Sequence, residues 1–241
     1  MHDVSCVNKQ VKGCEIHLEE EKQFALEWVK SIRFSGTHSE GDEAVANDSL
    51  KGGLNKRMDM SAIPFNLGFY FDENLREVPL SKAEMMKGIE FLKKQIPIFQ
   101  NDKNEVAKIY GLMGVYLRIV KELEESKKYL RLAIQTYEST SNDNSLFVNK
   151  LRLAHTYQWQ KDFYTSNQMF KKLMEEAEIC DERRGILDFV YQHYAKNLFD
   201  QENYDLAISY FHKALNLRIQ KGQKDLIEST EYAIHICKGK L

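Results

Sequence analysis

At 241 residues the chain is long enough for one or two ordinary domains or one short solenoid, and its formal net charge of −2 with a pI near 6.4 gives no overall pull toward nucleic acid or anionic membrane. No apolar run is long enough to span a bilayer, and residues 1–14 lack the apolar stretch behind a basic start that marks a secretory leader, so a soluble cytoplasmic protein is expected. Cys6, Cys14, Cys180 and Cys237 form no CxxC pair, which fits reduced thiols rather than a disulfide framework or a zinc site.

In chain order, residues 1–15 are polar and irregular. Ala25, Trp28, Val29 and Ile32 then recur at helical spacing and predict one amphipathic helix over residues 17–34. The following stretch to Arg57 has several glycines, mixed charge and no aromatic residue, and reads as a mobile linker, so residues 1–57 form an N-terminal helix-plus-linker region. Between Pro64 and Pro79 an aromatic cluster of Phe65, Phe69, Tyr70 and Phe71 is read as a short helix. Ser81 with Glu84 three residues on makes a capping box for the next helix, whose stripe of Met85, Ile89, Leu92 and Ile96 runs up to Pro97. No proline follows in the remaining chain, as an uninterrupted helical array requires.

From there the sequence repeats itself. Ala207, Phe211 and Ala214 form a small, large, small triplet that recurs as Ser166, Phe170, Leu173 and as Ser126, Leu130, Ala133. Preceding helices align as well, since Gly114 and Leu117 correspond to Ala154 and Tyr157 and to Ala195 and Leu198. Paired helices of this kind cannot bury their apolar faces alone and need neighbours of the same shape. Three repeats are expected at 107–146, 147–187 and 188–222, with a degenerate one at 58–106 built around Met85, Ile89 and Leu92. Past Gly222, Leu226, Tyr232, Ala233 and Ile236 face inward and Glu228, Glu231 and Lys238 outward, which predicts a capping helix within residues 223–241.

On these triplets the chain resembles tetratricopeptide repeat (TPR) proteins. Its period of about 40 exceeds the family's usual ~34 and is similar to that of the long-helix subclass found in Bacillus Rap-type regulators and kinesin light chains. The resemblance implies an all-α, right-handed superhelix of antiparallel helix pairs, with a concave groove lined by the first helix of each pair. Carried onto this sequence, the groove positions are Lys108, Leu112, Val115 and Arg118, then Arg152, His155 and Trp159, then Phe189, Gln192, His193, Lys196 and Phe199. That set holds basic heads between apolar and aromatic walls and has no acidic residue, which suits an acidic or carboxylate-bearing peptide segment. The paired asparagines of the family's carboxylate clamp are not reproduced, because Asn149 and Asn197 fall outside those positions.

No catalytic, cofactor or metal motif is present: there is no glycine-rich phosphate loop, HExxH or GxSxG, and His155 and His193, on equivalent first helices, read as groove-lining rather than ligating. The expected function is therefore a non-catalytic, cofactor-free protein- or peptide-binding scaffold that engages neither nucleic acid nor membrane. The resemblance also offers an alternative, a Rap-like bacterial signalling regulator that senses a peptide and acts on a response-regulator phosphorelay. Some members of that family dephosphorylate an aspartyl phosphate with a glutamine, and Gln23 is the one in the corresponding helix. Pairing of two copies into a homodimer would cover the outer face of the first repeat.

Overall fold

The computed structural model describes residues 57–241, so the helix expected at 17–34, its Gln23 and the linker through residue 56 lie outside the described residues. Among those described the chain is all-α apart from one small hairpin. A 3₁₀ turn at Met60–Ala62 leads to strands β1 (Phe69–Phe71) and β2 (Glu77–Pro79). Helices follow as α1 (Lys82–Gln95), α2 (Lys103–Ile119), α3 (Leu123–Ser139), α4 (Asp143–Trp159), α5 (Phe163–Ile179), the single turn α6 (Asp181–Arg184), α7 (Leu187–Phe199), α8 (Tyr204–Gln220) and α9 (Lys224–Lys238). None of them is long and apolar enough to cross a membrane.

Local chemistry accounts for the helix ends. The Ser81 hydroxyl accepts the Glu84 N–H at 3.2 Å and opens α1, while the Glu84 carboxylate meets Lys87 at 2.8 Å and does not close a reciprocal box. At the other end Pro97 falls in a 3₁₀ turn, Ile96–Phe99, where it cannot continue the helix. Asp102, Asn142 and Asp162 accept first-turn N–H groups and start α2, α4 and α5. Five helices end in the same way. Lys121, Ser141, Lys161, Glu202 and Gly222 all sit at positive φ, between 52° and 72°, and the next residue donates its N–H back to Leu117, Tyr137, Tyr157, Leu198 and Arg218 respectively. This is a left-handed corner that reverses the chain after each helix, and only one of the five positions is the glycine that such a corner favours.

With these corners α2, α3, α4, α5 and α8, each 17 residues long, pack consecutively against their chain neighbours, together with α7 and α9. The nine residues of the three triplets are all buried. Close approach explains the small ones: the Ser126 hydroxyl donates to the Gly114 carbonyl at 2.7 Å, and a Cβ added at Gly114 would come within 2.5 Å of Leu130. Ser166 makes the equivalent reach to the side chain of Asn197 at 2.7 Å. At the C-terminal end Arg218 ties α9 in place, with Nη1 donating to Thr230 at 2.6 Å and to the Leu226 carbonyl at 3.2 Å while Nε pairs with Asp188 at 3.0 Å.

The segment 58–80 departs from its expected short helix. Phe69 pairs with Pro79, Tyr70 with Val78 and Phe71 with Glu77, antiparallel. The Asp72 carboxylate holds the turn by accepting the N–H groups of Asn74 and Arg76, both at 2.9 Å, and Leu75 lies at φ 57°. Leu75 takes a conformation usually left to glycine and buries its side chain in the apolar cluster of α4, α5, α7, α8 and α9. Phe69 joins the other cluster, with α1 and α2.

The non-glycine corners are a removable cost. Lys161 is exposed, so Lys161→Gly exchanges about 1–2 kcal/mol of left-handed strain for a smaller loss in chain entropy, and urea denaturation should show a gain of up to about 1 kcal/mol.

Candidate functional site

Helices α2, α4 and α7 lie side by side, and the β1–β2 hairpin lies across the face they form. From α2, Arg118 donates through Nη1 to the Glu77 carboxylate at 2.9 Å. From α7, the Lys196 ammonium sits 3.7 Å from the centre of the Phe71 ring. From α4, Trp159 receives two guanidinium groups, Arg76 at 4.9 Å and Arg118 at 5.0 Å from its ring centre. Arg76 also pairs with Asp200 at the end of α7, and Gln158 donates to the same carboxylate at 2.7 Å. The space left between hairpin and helices, about 20 Å³ bounded in part by Phe69, Phe71, Glu77, Val115, Arg118 and Lys196, is room for one water.

Burial governs the charges here. Arg118 is 2% exposed and Lys196 5%. Burial alone would push the Glu77 carboxyl up; Arg118 and then Lys196 overcome it and hold the group down at about 2. Lys196 is pulled from 10.5 to about 8 by burial, against the attraction of Glu77, so it is still an ammonium at neutral pH. Beneath the hairpin the rings of His155 and His193 stand 4.4 Å apart, and the Trp159 indole N–H donates to His155 Nε2 at 3.2 Å. Burial first, then Arg118 at His155 and Lys196 at His193, keep both imidazoles neutral well below 6.5, although Glu77 pulls His193 the other way. Among the described residues no three His, Cys, Asp or Glu side chains are placed to hold a metal ion.

Of the residues singled out from the sequence, Val115, Arg118, His155, Trp159, Phe189, Gln192, His193 and Lys196 come together around the hairpin and the small space beneath it. The others are used elsewhere. Lys108 donates to the Met58 carbonyl at 3.1 Å and pairs with Glu105, and Leu112 is in the apolar cluster with Met58 and α1. Arg152 bonds Asn149 at 3.3 Å beside Gly111, where an added Cβ would stand 2.8 Å from its Nη1; burial draws it down to about 10. Phe199 turns to the ring of Tyr204, 5.4 Å away. Glu77, Arg76 and Phe71 complete the site and were not singled out, because nothing in the spacing of residues 69–79 assigns them to this face; Asp200, at the C-terminal end of α7, was not singled out either. Arg218, from a second helix, also reaches it and lies 5.2 Å from the Phe189 ring.

Compared with known proteins, the chain matches no family model, and no curated protein matches it significantly. The geometry therefore carries the functional reading.

Two outcomes are expected of stability. Glu77→Gln leaves Arg118 buried without its counter-charge and should cost about 3–5 kcal/mol in urea denaturation. The pH dependence has two limbs. The unfolded chain takes protons on His155 and His193 below 6.5 and the fold refuses them, so stability falls as pH drops from about 6.5, by up to about 1.4 kcal/mol per unit for each imidazole, and His155→Gln should halve that slope. Glu77, with its folded value below the unfolded 4.5, contributes fully above pH 4.5 and loses its contribution as pH falls toward about 2.

Proposed function

We propose that this chain is a non-catalytic, TPR-like binding module whose helix pairs form a right-handed superhelix and whose inner face takes an acidic or carboxylate-bearing segment of a protein or peptide. One observation carries the reading: Arg118 of α2 donates to the Glu77 carboxylate, presented by an extended strand, and Lys196 of α7 sits over the ring of Phe71, the cross-strand partner of Glu77. The chemistry expected of a ligand is already in use on that face. A guanidinium supplies directed N–H donors, an ammonium adds charge and an aromatic contact, and Trp159 offers a ring on which a second cation stacks.

Surplus charge supports the same reading. On the helices themselves Arg118, Lys196 and Arg218 stand near this face against Asp200 and Asp188, and Asp188 is already engaged by both Arg218 and Lys221. A site of that sign, walled by Val115 and Phe189, favours anions that bring apolar neighbours. The Rap-like alternative rests on the long repeat period and on the expected N-terminal helix with Trp28 and Gln23, which lies outside the described residues, and no observation on this face favours it.

Titrating the full chain with fluorescent pools of acidic and basic peptides of equal length tests this. The acidic pool should bind, more weakly as salt rises, and Lys196→Gln should weaken it by about tenfold. An equal response to both pools, or no effect of Lys196→Gln on a correctly folded protein, would overturn it.

A further inference from the structure

Four buried polar atoms along a single seam, where the hairpin meets α2, α4 and α7, find no hydrogen-bond partner among the protein's own groups: Arg76 Nη1, Arg118 Nε, Gln158 Oε1 and Gln192 Oε1. Folded proteins leave few such atoms, and four around one small hairpin mark an incomplete fit. Their chemistry is specific. Arg76 belongs to the hairpin itself; of the three on the helices, one is a guanidinium N–H donor and two are amide oxygens that need an N–H. The complement is a carboxylate offered to more than one arm of an arginine, together with the main-chain N–H groups of an extended peptide. Glu77 meets Arg118 through Nη1 and leaves Nε unused.

The hairpin is also lightly seated. Strands of three residues do not hold together as an isolated two-stranded unit. At the Arg76–Asp200 pair, burial pulls the guanidinium down and pushes the carboxyl up, so dehydration offsets part of what the pairing contributes. Leu75 is held at φ 57°, which a side chain of its size avoids, and is released from that strain when the turn leaves. What the hairpin does supply is apolar cover from Phe69, Phe71 and Leu75, and any entrant has to replace it.

We propose that the hairpin is an internal competitor for an extended segment of another protein that carries an aromatic residue and a carboxylate two positions apart. The proposal rests on the reading of this face as a carboxylate-binding site. Phe71 and Glu77 are cross-strand partners, so their side chains stand about 5 Å apart on one face. Alternate residues of a single strand share a face at about 6.5 Å. One strand with an aromatic-x-acid pattern therefore places a ring against Lys196 and a carboxylate on Arg118, as two strands do here, and brings its own N–H groups to Gln158 and Gln192.

The test is fluorescence anisotropy with the full chain and a labelled, threonine-rich octapeptide bearing one phenylalanine and, two positions on, one glutamate. Wild type should bind it weakly, and Arg76→Ala should bind it about tenfold tighter or more because the hairpin is loosened. Leu75→Ala, which removes the turn's apolar anchor and keeps a side chain at its left-handed position, should do the same and serves if Arg76→Ala loses its helical circular dichroism. The octapeptide with glutamine in place of glutamate should lose this binding in every variant. Equal affinity for wild type and both loosened variants overturns the competition and leaves the carboxylate-site reading standing, as does equal binding of the glutamine peptide overturn the aromatic-x-acid pattern. Failure of both the octapeptide and the acidic pool to bind any folded variant overturns the carboxylate-site reading itself.

Discussion

One carboxylate, that of Glu77, organises the centre of this molecule. It is buried where a lone anion would be costly, and it is stable there because Arg118 pairs with it from α2 and the positive charge of Lys196 on α7, on the other side of α4, favours it as well. Without the carboxylate Arg118 and Lys196 are buried with less counter-charge, and without Arg118 the carboxylate loses its ion pair. The Trp159 ring, flanked by Arg76 and Arg118, covers this arrangement from α4, so α2, α4 and α7 are all committed to one small strand pair.

The neighbouring imidazoles follow from the same constraint. His155 and His193 touch in a region already rich in positive charge, so the neutral form is the one the fold accepts. Neutral rings there act as packing and as hydrogen-bond acceptors, as the indole of Trp159 uses His155. Acid therefore strikes the face that the hairpin occupies before it titrates the carboxylate that holds the hairpin.

Much of the helical scaffold was legible because it obeys short-range rules. Ser81 caps, Pro97 stops, and the triplets from Ser126 to Ala214 pack inward because small and large residues alternate at helical spacing. The convergence of Arg118, Lys196, Trp159 and His193 was legible in part, through positions shared by the first helices. Arg152 and Phe199 share that pattern and turned aside, since Gly111 opens room for one and Tyr204 offers a ring to the other. The hairpin was not legible. Phe69, Tyr70 and Phe71 show no polar alternation, and the turn places Leu75 where a glycine would have announced a left-handed residue. Lys121, Ser141, Lys161 and Glu202 conceal the helix corners for the same reason.

Phe71 packs against both large apolar clusters, the one formed with α1 and α2 and the one that runs from α4 to α9. With Leu75, that ring ties the N-terminal hairpin to the core built from the opposite end of the described chain. Its withdrawal would uncover apolar surface on both cores at once, which an entrant would have to cover.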